Sequence, residues 1–599
     1  MAHPHESRTG RRALLRRRSV LTGLAAAGLG GLGATAVPRL VSASPGGSAR
    51  TAADPDFGPN VSVFGPDTPA QDIQSKVDEV FKKQEKAQFE SGRHAFLFKP
   101  GSYEVDVNVG FFTQVAGLGA TPGEVKVSGA VHAEADWDDG NATQNFWRSA
   151  EGIEVTPKSG GADRWAVSQA APYRRMHVKG DLALDDGGWS SGGWISDTVV
   201  DGTVRSGSQQ QWLSRNAEFG GWDGANWNMV FVGVQNAPGD SFPKPPYTTV
   251  DSAPRSREKP FLYVDGSGGF KVFVPALQQK SSGASWSGGA PKGDSLALGD
   301  FHIAKTDESA DDLNSALKKG KHLLLPPGVY KLDKALAVTE ANTVVLGLGL
   351  ATLVPTAGNA ALTVADVDGV KVAGVLVDAG EQTSPVLIEV GPEGADGDHA
   401  DDPTSLHDVF VRIGGTGAAK AEKSLVVNSS HVIADHLWLW RADHGDGVGW
   451  DTNPASTGLE VNGADVTAYG LFAEHYQKYQ VVWNGERGRT YFFQNEMPYD
   501  PPNQDAWKHG DTKGYAAYKV ADAVQDHEAW GLGSYCNFTA DKSVVADRAF
   551  EVPRADGVRF HHLTTVSLGG AGTIAHVVND TGDAADSGSN VSTVTSYPG

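Results

Sequence analysis

Short apolar stretches recur along the chain at 370–377, 409–413, 431–440, 466–473 and 490–495, bounded by Gly, Asn and Asp. Runs of this length, rich in β-branched and aromatic residues, predict strands. Their spacing of two to four dozen residues is wider than the roughly 8–12 residues expected of hairpin-linked strands in a β-sandwich. One supersecondary unit per period is instead the pattern of a stacked solenoid. Helical periodicity is confined to a few short stretches, notably around 72–84 and 311–319.

Each of those helical stretches precedes a copy of the same motif. Phe96-Leu97-Phe98-Lys99-Pro100-Gly101-Ser102-Tyr103, followed by Val115-Ala116-Gly117-Leu118-Gly119, returns as Leu323-Leu324-Leu325-Pro326-Pro327-Gly328-Val329-Tyr330 and Val345-Leu346-Gly347-Leu348-Gly349. Two related units are therefore expected, at 44–280 and 300–599, with the Gly/Ser-rich stretch 281–299 as linker. At 599 residues the chain is too long for one compact core, and 74 glycines against 4 methionines favour a turn-rich all-β protein.

Residues 1–43 read as an address rather than as structure. Arg17-Arg18-Ser19-Val20-Leu21 heads a Gly/Ala-rich apolar run to about Val37, and Val41-Ser42-Ala43 is a small-residue cleavage pattern. This predicts twin-arginine export, a mature chain beginning near Ser44, and a secreted, extracellular location. No later stretch approaches the roughly 20 apolar residues of a membrane span. The lone Cys536 excludes an internal disulfide and is read as a core residue. A formal net charge of −21 makes nucleic acid and anionic membranes poor partners. Fifteen Trp residues could be core, or flat faces for sugar rings.

Three aromatic-rich strands end on acids, at Asp443, Glu474 and Glu496. Glu474 and Glu496 are 22 residues apart, as are Tyr469 and Tyr491, so the two strands superpose one coil apart. Equivalent residues on successive coils lie about 4.8 Å apart, which predicts a carboxylate column of Asp443, Glu474 and Glu496. Stacked carboxylates raise at least one pKa, giving the protonated acid and ionised partner that glycoside hydrolysis needs. Solvated loop-start acids or cation ligands are the alternatives. No HExxH, CxxC pair, GxSxG or phosphate-binding loop offers a rival chemistry. His444 and His475 follow acids; hydrogen bonds to substrate are expected of them ahead of metal binding.

Further motifs carry a resemblance. Asn141-Ala142-Thr143-Gln144-Asn145-Phe146-Trp147-Arg148, Trp165-Ala166-Val167-Ser168-Gln169-Ala170-Ala171-Pro172, Arg175-Met176-His177-Val178 and Ser208-Gln209-Gln210-Gln211-Trp212, with the duplicated Pro-Gly-x-Tyr units, resemble glycoside hydrolase family 55 over essentially the whole mature chain. The resemblance implies two tandem right-handed parallel β-helix domains of pectate-lyase type, a cleft between them, and inverting hydrolysis of β-1,3-glucan. By the same resemblance Glu496 is the general acid, Glu474 holds or activates the attacking water, and Gln169 orients it without taking a proton. Trp440, Tyr499, Asp443, His475 and Gln210 are the expected substrate-binding residues. The family includes exo- and endo-glucanases; the leading expectation is an exo-acting enzyme that releases glucose from laminarin-like chains, with monomer as the default state, and two carboxyls and a water require no cofactor and no metal. A polysaccharide lyase on the same fold and a non-catalytic glycan-binding solenoid are the alternatives; the first would want cations beside the acids.

Overall fold

The computed structural model describes residues 54–158 and 161–598; the expected export segment lies outside them. The predicted strands appear at Lys371–Asp378, Ser405–Ile413, Ile433–Arg441, Thr467–Glu474 and Gly488–Glu496, and the helical stretches at Ala70–Gln84 and Ala310–Lys318. All five strands belong to one 12-stranded sheet, in sequence order and parallel. An 8-stranded sheet closes the same coils, and the N-terminal half repeats the plan with two 9-stranded sheets. The architecture is all-β, two tandem right-handed parallel β-helices.

Residues 281–299 are more than the tether expected from their composition. Strand Gly293–Ala297 pairs antiparallel with Phe270–Pro275, and the Trp286 indole N–H donates to the Asp197 carbonyl at 2.8 Å. Parallel coiling in the N-terminal half ends at Tyr247–Val250, and small antiparallel sheets follow before the second helix begins.

Register explains what each face does. Val375, Val409, Leu437, Leu471, Phe493, Leu532 and Leu563 pair in one line and fill the second β-helix. One position further, Leu376, Phe410, Trp438 and Phe472 pair in a line on the opposite face, because side chains alternate along a strand. They pack against Phe146, Trp147, Trp194, Leu213 and Val230 of the first half. The two helices are thus joined through an aromatic layer that is the outside of both.

A second line interrupts this alternation. Gly374, Asp408, His436, Gly470, Phe492, Gly531 and His562 occupy equivalent positions, all at positive φ between 50° and 72°, and the pairing skips each. Each of these strands therefore carries the same left-handed kink at the same place, without a shift of register. Leu406 and Val409 both enter the core, so the two residues between them, His407 and Asp408, face the other half. The same holds for Asp435 and His436. At Gly470 a Cβ would meet the Trp194 ring at 2.5 Å, so here glycine serves close approach as well as φ.

Candidate active site

The aromatic layer opens, at its C-terminal edge, into a cavity of about 220 Å³ lined by both halves. Trp440 lies beside Glu474 in register, Gln494 beside Phe472, and Glu496 beside Tyr535. All continue the outward-facing line begun by Trp438, so the strands deliver two carboxylates to the place where apolar packing stops. All eight residues expected at a site line this cavity: Gln169, Gln210, Trp440, Asp443, Glu474, His475, Glu496 and Tyr499.

The predicted three-membered column needs correction. Glu474 pairs with Trp440, not with Asp443. Asp443 lies beyond the end of its strand at Arg441 and enters from the loop, so the stacked carboxylates are two. Trp440 also differs from an open sugar platform. It is 1% exposed, stacked on Trp438 at 4.9 Å, and lines the cavity from within the aromatic layer.

Glu474 is fully engaged. Its Oε1 accepts from Gln169 Nε2 at 3.1 Å and Gln494 Nε2 at 2.9 Å, and its Oε2 accepts from the Trp438 indole at 2.8 Å. Glu496 has fewer partners. Its Oε2 shares a short hydrogen bond with the Tyr499 hydroxyl and lies 3.9 Å from His475 Nε2. That ring donates through Nδ1 to the Met497 carbonyl at 3.1 Å, and its Nε2 stands 3.8 Å from Asp443 Oδ1. Asp443 in turn accepts from His444 Nδ1 at 2.8 Å.

The three acids experience different fields. Burial, then the charge of Glu496, holds Glu474 well above the ordinary carboxylate range, against the hydrogen bonds it accepts. Burial also raises Glu496, partly offset by His475 and Tyr499. For Asp443 burial acts in the same sense, but His475 and the hydrogen bond from His444 outweigh it and hold the carboxyl ionised. Two carboxyls that resist simultaneous ionisation supply an acid and its complement.

Gln169 reaches the cavity from the first half in a strained backbone conformation, φ 32°. Its Nε2 is spent on Glu474, whereas its Oε1 is buried and has no hydrogen-bond partner among the described residues. An unpaired buried acceptor is costly unless a ligand or water fills it. Sequence reasoning singled out neither Ser191 nor Leu568, which also line the cavity. Trp438 was legible as the residue two before Trp440 on the same face. Beside this cavity, sharing Gln210, lies a groove with Trp227 and with Trp189, which is 71% exposed.

Comparison with known proteins places this geometry in context. The profile of the LAM55 pectate lyase-like domain matches residues 301–496. An exo-beta-1,3-glucanase of Streptomyces sp. (strain SirexAA-E / ActE) is 53% identical over 582 residues, 96% of each chain. The structure of sacteLam55A from Streptomyces sp. SirexAA-E superposes with a TM-score of 0.89 at 55% identity, covering 91% of this chain and 99% of that one. A glutamate-to-alanine variant of sacteLam55A in complex with glucose matches with the same TM-score at 54% identity and the same coverage.

Proposed function

The chain belongs to the LAM55 β-1,3-glucanases of glycoside hydrolase family 55, and from that premise we propose that it cuts β-1,3-glucan from a chain end, releases glucose and inverts the anomeric carbon. Glu496 gives a proton to the glycosidic oxygen; its raised pKa keeps it protonated above the usual carboxylate range. Water attacks from the side of Gln169, whose Oε1 accepts one of its hydrogens while Glu474 fixes the amide through Nε2. Glu474 holds the Gln169 amide in place, the proton released by the attacking water leaves to solvent, from which Glu496 is reprotonated, and His475, Asp443, Tyr499, Gln210 and Trp440 bind sugar hydroxyls and ring.

The observation that carries this reading is the contrast between Glu474, which accepts three hydrogen bonds, and Glu496, which accepts one. Neighbouring parallel strands hold equivalent Cα atoms about 4.8 Å apart, nearer the roughly 5–5.5 Å carboxyl spacing of retaining enzymes than the 6.5–9.5 Å or so of inverting ones. A nucleophilic Glu474 would, however, have to give up the Trp438 indole at Oε2, or Gln169 and Gln494 at Oε1. Water bound to Gln169 needs no such loss. None of the cavity-lining residues is Lys or Arg, which argues against a lyase that neutralises uronate.

The decisive experiment incubates the mature protein and Glu496→Gln with laminarin and follows the released sugar by NMR. Release of α-glucose, with loss of about 10³-fold or more in the variant, is the expected result. β-Glucose as first product would transfer the reading to a retaining mechanism. We further propose secretion as a monomer through the twin-arginine segment; retention of Arg17→Lys/Arg18→Lys in the cytoplasm, by cell fractionation, tests the export step.

A further inference from the structure

Gln169 is gripped from the opposite half at a second point. His436 occupies the left-handed kink of strand Ile433–Arg441 at φ 72° and is fully buried. Its ring is stacked on Trp194 at 5.0 Å and flanked edge-on by Phe410 at 5.1 Å and Phe472 at 5.8 Å. Nδ1 lies 2.9 Å from Asp408 Oδ1 and Nε2 lies 3.0 Å from the backbone carbonyl of Gln169. That carbonyl also accepts from the Ala171 N–H at 2.9 Å, and the Gln169 N–H donates to Gly192 at 2.8 Å. The remaining main-chain contacts of Gln169 are thus local to its own half, and the contact from the catalytic half is His436.

We propose that His436 is a positioning residue: it holds Gln169 in its left-handed conformation across the domain interface and so fixes the amide that orients the attacking water. The inference rests on the water-side role given to Gln169 above. Both partners of the ring are acceptors, a carbonyl and a carboxylate, so both hydrogen bonds form only in the imidazolium, and a neutral ring can serve one of them. Asp408 is held ionised, well below the ordinary range, since the attraction of Arg174, His436 and Lys259 outweighs its burial. Around the ring stand Asp408, Asp435, His407 and Arg174, with Lys259 paired to Asp408 and Arg215 to Asp435. Burial, aided by Arg174, draws His436 below its ordinary value of 6.5, against Asp408 and the Gln169 carbonyl. The doubly bonded form therefore belongs to the acid side, and the grip on Gln169 weakens as pH rises through the ring's pKa.

The test uses His436→Asn, because Asn tolerates the left-handed backbone, with laminarin and with 2,4-dinitrophenyl β-glucoside, whose leaving group needs no proton. Expected is a folded protein by melting temperature, with kcat lower by on the order of tenfold to a hundredfold and KM within about twofold. The loss should persist on the aryl glucoside, where Glu496→Gln loses little, because it lies on the water side. A second variant, Asp408→Asn, lets a neutral ring keep its Nε2–H on Gln169 while the new amide donates to Nδ1. Its alkaline limb on the aryl glucoside should be lost, because the neutral ring still holds Gln169. Wild-type kcat in folded His436→Asn, a loss confined to KM, or a limb that persists in folded Asp408→Asn would overturn the proposal. Should Asp408→Asn fail to fold, His436→Asn decides alone. Should the wild type release no glucose from laminarin, the function itself falls and this inference with it.

Discussion

The two β-helices share one plan but bring different chemistry to the cavity. The second half contributes its titratable groups: Asp443, His444, Glu474, His475, Glu496 and Tyr499. The first contributes Thr143, Gln144, Gln169, Ser191 and Gln210, all neutral. Their strands differ accordingly. Those framing the carboxylates run 8 to 9 residues, whereas the facing strands Tyr173–Arg174 and Gly193–Ser196 have 2 and 4. Long strands in strict register hold like charges together despite repulsion. Short strands leave loops that carry amides to the opposite side without adding charge to a site already rich in it.

Breaking the ionisable side should cost most. Glu496→Gln is expected to lower kcat on laminarin by about 10³–10⁴-fold with little change in melting temperature. In the wild type activity should fall as pH rises through the elevated pKa of Glu496, since the acid must be protonated, and this limb should vanish on the dinitrophenyl glucoside. Breaking the neutral side should cost less. Gln169→Leu removes the water acceptor and the donor to Glu474, and a loss of about 10²-fold in kcat, with KM nearly unchanged, is expected from steady-state kinetics.

The joint between the halves gives the next effect. Gly470→Ala places a methyl against Trp194 at a left-handed position, and about 1–3 kcal/mol of stability should be lost by denaturant unfolding. Smallest is Trp189→Ala in the adjoining groove, which should raise KM for long laminari-oligosaccharides by about 1 kcal/mol or less and leave the aryl glucoside untouched. A comparable change on both substrates would place that tryptophan outside the path of the chain.

Much of this was readable along the chain, because a solenoid repeats locally. Strand positions and the 22-residue interval that sets Glu474 beside Glu496 follow from patterns within one or two coils, and the duplication from a motif repeated whole at 96–119 and 323–349. Patterns fail where the backbone leaves its regular period. Asp443 looked equivalent to the other acids because it also follows an aromatic strand, yet it sits three residues past Trp440, the true register partner of Glu474. Trp440, expected to bind substrate, lines the cavity but is packed under the first half, since an aromatic on the outer face of one helix has no way to signal that a second helix covers it.

The coils and the two stacked carboxyls are set by residues one coil apart, and the doubling by a repeated motif, so the order of amino acids alone suffices for them. That Glu474 accepts three hydrogen bonds and Glu496 one, and that His436 reaches Gln169 across 267 residues of chain, came from the packing of the two halves. Those outcomes depend on which outer face meets which, and a periodic pattern carries no information about the partner that stands opposite it.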